Sequence, residues 1–181
     1  QWPSSLWSEN SLKWNFPEIT SSQSYDVVIV GAGYSGLWTA HHLLDLNPSL
    51  SIAILDARQP GFGASGRNGG WCSAFSPMSL EAVAAESNKQ GAIDLQNALI
   101  SSVDEIGAHI VKSNIECGWH KGGTLSFASN HLQIQKIRES IAMSRDFGFD
   151  DSFMDYLTPD QAEARVRIPD SLGASYSPHC A

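Results

Sequence analysis

Six residues, Gly31-Ala-Gly-Tyr-Ser-Gly36, limit what this chain can fold into more than any other stretch. They follow Val27-Val-Ile-Val30, a short β-branched run that predicts a strand buried on both faces of a parallel sheet. After them Leu37, Ala40, Leu43 and Leu44 recur at helical intervals. In a G-x-G-x-x-G of this kind each glycine has its own duty. Gly31 allows the tight turn, Gly33 lets the backbone approach a pyrophosphate, and Gly36 lets the helix pack closely on the strand. The phosphate meets the helix N-terminus, where unpaired N–H groups and the helix dipole favour negative charge.

The motif alone is weak, but its context here is the one it requires, a strand before and a helix after. A second strand is predicted at Ser51-Ile-Ala-Ile-Leu-Asp56, and its last residue is an acid twenty positions beyond Gly36. Asp56 is therefore placed to accept hydrogen bonds from ribose hydroxyls. The competing reading is a glycine-rich βα turn followed by an ordinary surface Asp.

The next informative stretch is Arg58-Gln-Pro-Gly-Phe-Gly-Ala-Ser-Gly-Arg-Asn-Gly-Gly-Trp71, in which six of fourteen positions are Gly or Pro. No regular element runs through such a stretch. It nevertheless carries Ser65, Arg67 and Asn68 between glycines. A hydroxyl, a guanidinium and an amide held this way can bring N–H groups and a cation to a phosphate or a flat heteroaromatic ring. A plain surface loop is the alternative.

Composition narrows the class. With 181 residues the chain can form one domain and part of a second, and its 42% hydrophobic and 17% charged residues suit a soluble globular protein. The net charge of −8 argues against a nucleic-acid partner, which needs clustered Lys and Arg. No apolar run reaches the ~20 residues of a membrane span. Cys72, Cys117 and Cys180 form no C-x-x-C pair, which points to a reducing, cytoplasmic compartment and no metal site. His41 and His42 read as one packed and one exposed side chain, and no zinc is expected. The chain starts at Gln1 without methionine or a secretory pattern, so it reads as processed or truncated.

Three regions are expected. Residues 1–24 hold Trp2, Trp7 and Trp14 among polar residues and read as an irregular arm lying against the body. Residues 25–75 are the βαβ unit with its loop, the helix closing at Asn47-Pro48. Residues 76–181 are largely helical. Ser79 can cap one helix, and a longer one is expected from about Gly91 to Ser113. Its apolar stripe is Ile93, Leu95, Ala98, Leu99, Val103, Ile106, Ile110 and Val111. A turn at Lys121-Gly-Gly leads into a strand with Leu125 and Phe127 on one face. His120 and Lys121 beside it read as surface or turn residues. Asn130 can cap a helix through about Phe147, with Leu132, Ile134, Ile137, Ile141 and Met143 apolar. Thr158-Pro-Asp-Gln161 combines a cap, Pro at the first helical position and Gln at the third. A last strand is expected around Ala174–Tyr176. Trp71 is read equally as a residue of the ligand pocket or of the core.

Together these residues carry a resemblance. Val27–Leu37, the loop Gly61-Phe-Gly-Ala-Ser-Gly-Arg-Asn-Gly-Gly70, and the later order of long helix, Gly-Gly-Thr-Leu strand, helix and Leu157-Thr-Pro-Asp-Gln are shared with one superfamily. This chain resembles the amine- and amino-acid-oxidising flavoenzymes of the D-amino acid oxidase and glycine/sarcosine oxidase superfamily, above all the gamma-glutamylputrescine oxidoreductase branch. The resemblance covers nearly everything beyond the arm. It implies an α/β fold with a Rossmann-like FAD-binding βαβ unit, additional helices and the start of a substrate domain. It also implies FAD as cofactor and a small-molecule amine as substrate, oxidised at its C–N bond to an imine. Gly31, Gly33, Tyr34, Ser35 and Gly36 would meet the pyrophosphate, and Asp56 with Ala57 the adenosine ribose. Asp56 stands where members often carry Glu. Ala64, Ser65, Arg67, Asn68, Gly69 and Gly70 would line the side running from diphosphate to flavin ring. No His lies between Gly61 and Trp71, so the covalent flavin link that some relatives make there is not available. Family members are more than twice this length, and by the resemblance the chain reads as their N-terminal portion. An NAD-dependent dehydrogenase and a non-catalytic fragment are the other readings.

Overall fold

A computed structural model describes residues 6–8 and 15–181. Trp2 and Trp14 lie outside the described residues. The chain divides into two compact units, Gln1–Gly70 and Trp71–Ala181.

The first unit holds a βαβ element: β1 (Val27–Val30), α1 (Tyr34–Leu46) and β2 (Ile52–Leu55). The strands pair in parallel, Val27 opposite Ile52 through Val30 opposite Leu55. Asp26 and Ser51 fasten their starting ends. Ser51 donates from both its backbone N–H (2.8 Å) and its hydroxyl (2.6 Å) to the Asp26 carboxylate, and the Asp26 N–H donates to the Ser51 hydroxyl at 3.0 Å. The bonds from Ser51 hold the Asp26 carboxyl below the usual carboxylate range. At the far end of α1, Asn47 donates its N–H to the Leu43 carbonyl and leaves the helix in extended conformation, where Pro48 cannot continue it.

The burial of β1 corrects the expectation from sequence. Its residues alternate instead of being covered on both faces: Val28 is 52% and Val30 86% exposed. An apolar run is buried on two sides only if something covers both. Among the described residues α1, through Ala40, covers one side of this two-stranded sheet.

Ahead of β1, residues 15–24 form no helix or strand, and Leu6–Ser8 is a single 3-10 turn. The Trp7 indole lies over Gly69, so close that a Cβ on Gly69 would stand 3.4 Å from it. The arm does touch the body.

The second unit contains α2 (Leu80–Glu86), α3 (Lys89–Lys112), β3 (Thr124–Phe127), α4 (His131–Asp146), β4 (Asp155–Leu157), α5 (Pro159–Glu163) and β5 (Ala174–Ser177). The three strands form an antiparallel sheet in the order β3-β5-β4. Leu157, Ala162 and Ala174 form its core, with Leu125, Phe127 and Tyr176 packed against them. Helix starts agree with the caps read from sequence. Ser79 accepts from the Ala82 N–H, Asn130 from the Gln133 N–H, and Thr158 with Gln161 makes a complete capping box.

Helix α3 turns inward most of the expected stripe, with Ile93, Leu99, Ile106 and Ile110 half-buried, and adds residues that the stripe does not include. Val103 is buried, but so are Ala92, Gln96 and Gly107, while Leu95 and Val111 are exposed. Gln96 is admitted because its side-chain amide donates to the Ala74 carbonyl at 2.9 Å. Gly107 is admitted because the Trp119 indole lies on it, 2.9 Å from where a Cβ would be. Likewise Leu132 on α4 is exposed and Ser144 buried, its hydroxyl donating to the Ser140 carbonyl. Strand β4 has no counterpart among the elements expected from sequence. Among the described residues no helix is long and apolar enough to cross a membrane.

Candidate dinucleotide site

The site is built within the first unit, from the end of β1 outward. Gly31 continues the sheet by donating its N–H to the Leu55 carbonyl at 2.7 Å, then turns the chain with φ +105°. This conformation is open to glycine and costly to other residues. Gly36 is required by space. A Cβ there would stand 2.0 Å from the Gly31 carbonyl oxygen and 3.3 Å from Ile29 Cγ2. Helix α1 starts this close to β1 only because that atom is missing.

Asp56 comes directly after β2 and reaches back to the turn. One carboxylate oxygen accepts from the Ala32 N–H and the other from the Arg58 N–H, both at 2.8 Å. The Ala32 bond, then the Arg58 bond, hold its carboxyl below the usual range. The charge is thus stabilised, and the carboxylate is fixed in direction by backbone.

The second loop docks onto the first. The Gly61 N–H donates to the Ala32 carbonyl at 2.9 Å, and the Tyr34 N–H donates to the Ser65 hydroxyl at 3.1 Å. Gly33, the residue before α1, has no side chain with which to cap it. Ser65 serves that first N–H instead, and a Cβ on Gly33 would lie 3.0 Å from its hydroxyl oxygen. Residues 31–36, 56–58 and 61–66 therefore form one hydrogen-bonded piece. Tyr34 and Ser35 are exposed on the first turn of α1.

Arg67 and Asn68 point mostly into the loop itself. Arg67 Nε donates to the Phe62 carbonyl at 2.8 Å and its guanidinium lies over the Phe62 ring at 5.0 Å. The Asn68 amide donates to the Ala64 and Ser65 carbonyls and accepts from the Gly70 N–H. These two residues brace the loop.

Two further contributors emerge from the structure. The second loop repeats the first motif: Gly61-Phe-Gly-Ala-Ser-Gly66 is another G-x-G-x-x-G, and the repeated spacing is visible in the residues. The other is the arm. A cleft of about 700 Å³ opens beside Asp56, lined by Ala32, Leu37, residues 54–60 and residues 15–19. Its size is that of small-molecule sites. Only the arm's aromatic content hints at this.

Other residues marked in the sequence have the following surroundings. Trp71 is 68% exposed and so does not belong to the core. Lys121 pairs with Asp104, and His120 is exposed. His41 is half-buried and His42 exposed, and with Asp45 they bring three ligand-type atoms within 4.8 Å of one another. His41 Nε2 lies 3.3 Å from Asp45, and Trp38 stacks on His42 at 5.3 Å.

A strand, a glycine turn, a helix N-terminus and an acid after the second strand define the first half of an α/β dinucleotide-binding fold. The family model described as FAD dependent oxidoreductase (DAO) matches residues 26–181, and this chain belongs to that family. It is 31% identical over 124 residues to gamma-glutamylputrescine oxidoreductase of Escherichia coli, covering 68% of this chain and 28% of that protein. To the probable oxidoreductase OrdL of Haemophilus influenzae it is 29% identical over 131 residues, covering 72% and 29%. The chain thus spans under a third of the length of these curated relatives. In fold it is similar to L-amino acid deaminase from Proteus vulgaris (TM-score 0.65, 19% identity, covering 92% of this chain and 36% of that one). Glycine oxidase from Geobacillus kaustophilus is a further neighbour (TM-score 0.58, 23% identity, 86% and 40%).

Proposed function

We propose that this chain supplies the FAD-binding βαβ unit of an oxidoreductase that converts the C–N bond of an amine or amino acid to an imine. The observation that carries the reading is the joining of the glycine turn, Asp56 and the second loop into one hydrogen-bonded piece beside one cleft. The residues present fit the cofactor. Gly31, Gly33, Tyr34, Ser35 and Gly36 present backbone to a diphosphate at the start of α1, where the dipole favours its charge. Ser65 can yield the Tyr34 N–H to a phosphate oxygen and donate its own hydroxyl instead. Each Asp56 oxygen accepts one backbone bond and keeps acceptor capacity for a ribose hydroxyl, with Ala57 alongside. Ala64, Arg67, Asn68, Gly69 and Gly70 form the braced wall that continues toward the ring.

When bound, FAD supplies the two-electron acceptor, and the protein supplies position, electrostatics and shielding from water. A neutral bound amine needs no dedicated base, and no catalytic residue is assigned. The substrate class rests on the names of relatives, a gamma-glutamylputrescine oxidoreductase and a glycine oxidase among them.

Titration of the full chain with FAD and, separately, with NADH tests the reading. Saturable quenching of flavin fluorescence, recovered as free flavin on denaturation, with weaker NADH binding, is the expected result. Preference for NADH would mark a nicotinamide-dependent dehydrogenase, and binding of neither a non-catalytic piece. Either result overturns the proposal.

A further inference from the structure

We infer that the N-terminal arm is a working wall of the dinucleotide cleft, with Phe16 and Ile19 closing its adenosine end. This rests on the cofactor reading above and adds to it a segment that lies outside the βαβ unit.

Two separate contacts bring the arm to the site. Residues 15–19 line the cleft of about 700 Å³ together with Asp56, Leu37 and Ala57. Earlier in the arm, Trp7 lies over Gly69 in the second loop. The arm therefore meets both the cleft beside the carboxylate that would hold the ribose and the loop that continues toward the ring.

The chemistry of the cleft matches an adenosine. Leu37 and Ala57 give it apolar lining, and Asp56 is an acceptor already oriented by backbone. Phe16 and Ile19 are large apolar side chains, 63% and 62% exposed. Covering a purine would withdraw both surfaces from water, whereas without a ligand these side chains remain largely wetted. A flat base needs two apolar sides, and the βαβ unit supplies one. The arm supplies the other.

The test uses the full chain, a version lacking residues 1–20, and the point variants Phe16→Ala and Ile19→Ala, each checked for unchanged circular dichroism. FAD and ADP carry the adenosine half; FMN and riboflavin do not. Loss of the arm is expected to weaken FAD and ADP binding about tenfold or more, and Phe16→Ala about fivefold, with FMN and riboflavin binding unmoved. Because Phe16 is exposed, its variant reads the contact even if the truncation fails to fold. Equal affinities for FAD and ADP in all versions overturn the inference and leave the cofactor reading intact. Tighter binding after truncation also overturns it, since the arm would then be a plug that ligand must displace. If the unaltered chain binds neither FAD nor ADP, the cofactor reading is what has failed.

Discussion

The turns at Gly31–Gly36 and Gly61–Gly66 have the same glycine spacing and nearly the same build, yet the chain leaves them in different ways. In both, the first glycine has positive φ, +105° and +72°. In both, the third lies so close under the first that a Cβ would stand 2.0 or 2.3 Å from its carbonyl oxygen. In both, the middle glycine is extended just before a helical turn. After Gly36 the chain offers Leu37, Ala40 and Leu43 at helical spacing, and α1 runs thirteen residues. After Gly66 it offers Arg67, Asn68, Gly69 and Gly70, with no apolar stripe to bury and two glycines that disfavour a helix. The helical turn there stops at three residues. The glycines shape the corner. The residues beyond the third glycine decide whether that corner carries a helix dipole or a loop braced by its own side chains.

The comparison can be broken by substitution. Gly36→Ala should have the largest effect. It drives a methyl into backbone that carries both β1 and α1, and a loss of roughly 4 kcal/mol or more is expected in denaturant unfolding of the first unit. Gly66→Ala makes a similar clash but strains only the loop. It should cost roughly 2 kcal/mol, leave the circular dichroism of α1 unchanged, and abolish measurable FAD binding. Equal costs at the two sites would mean that the helix contributes nothing to the penalty. Ser65→Ala removes the hydroxyl that joins the turns, and about 1 kcal/mol should disappear, the usual worth of a helix cap.

The smallest effect is acidic. The Asp56 carboxyl lies below its unfolded value because Ala32 and Arg58 donate to it. Its contribution is therefore fully present above the unfolded pKa of about 3.9 and is lost as pH falls through the lower folded value. Asp56→Asn should flatten part of the acid limb of a stability–pH profile, leaving the part due to Asp26, which is lowered in the same sense by Ser51.

Where one local rule suffices, the sequence is readable. Ser79, Asn130 and Thr158 cap the helices they were expected to cap, because a side chain two or three residues from its partner needs no tertiary help. The glycine turn and the pairing of β1 with β2 are readable from one βαβ unit in the same way. Burial is less so. Gln96 and Gly107 are inside through partners far along the chain, the Ala74 carbonyl and the Trp119 indole, and no periodicity announces those. Strand β4 is three residues long and begins with Asp155, too short and too polar to show an alternation, and exists by pairing with β5. At the site, Asp56 and Ser65 could be marked from spacing and composition. The inward turn of Arg67 and Asn68 and the approach of residues 15–19 could not.

The backbone bonds to Asp56 have a consequence for selectivity. A carboxylate on a free stem can swing aside when a ligand brings negative charge near it. This one is gripped at both oxygens, so its charge stays at the rim whatever arrives. On the proposed function, a dinucleotide with bare ribose hydroxyls would find an acceptor already oriented. One carrying a phosphate on that ribose would meet a like charge there. On that same proposed function, the turn that organises the fold would thereby also act as a filter, through a side chain held at both oxygens.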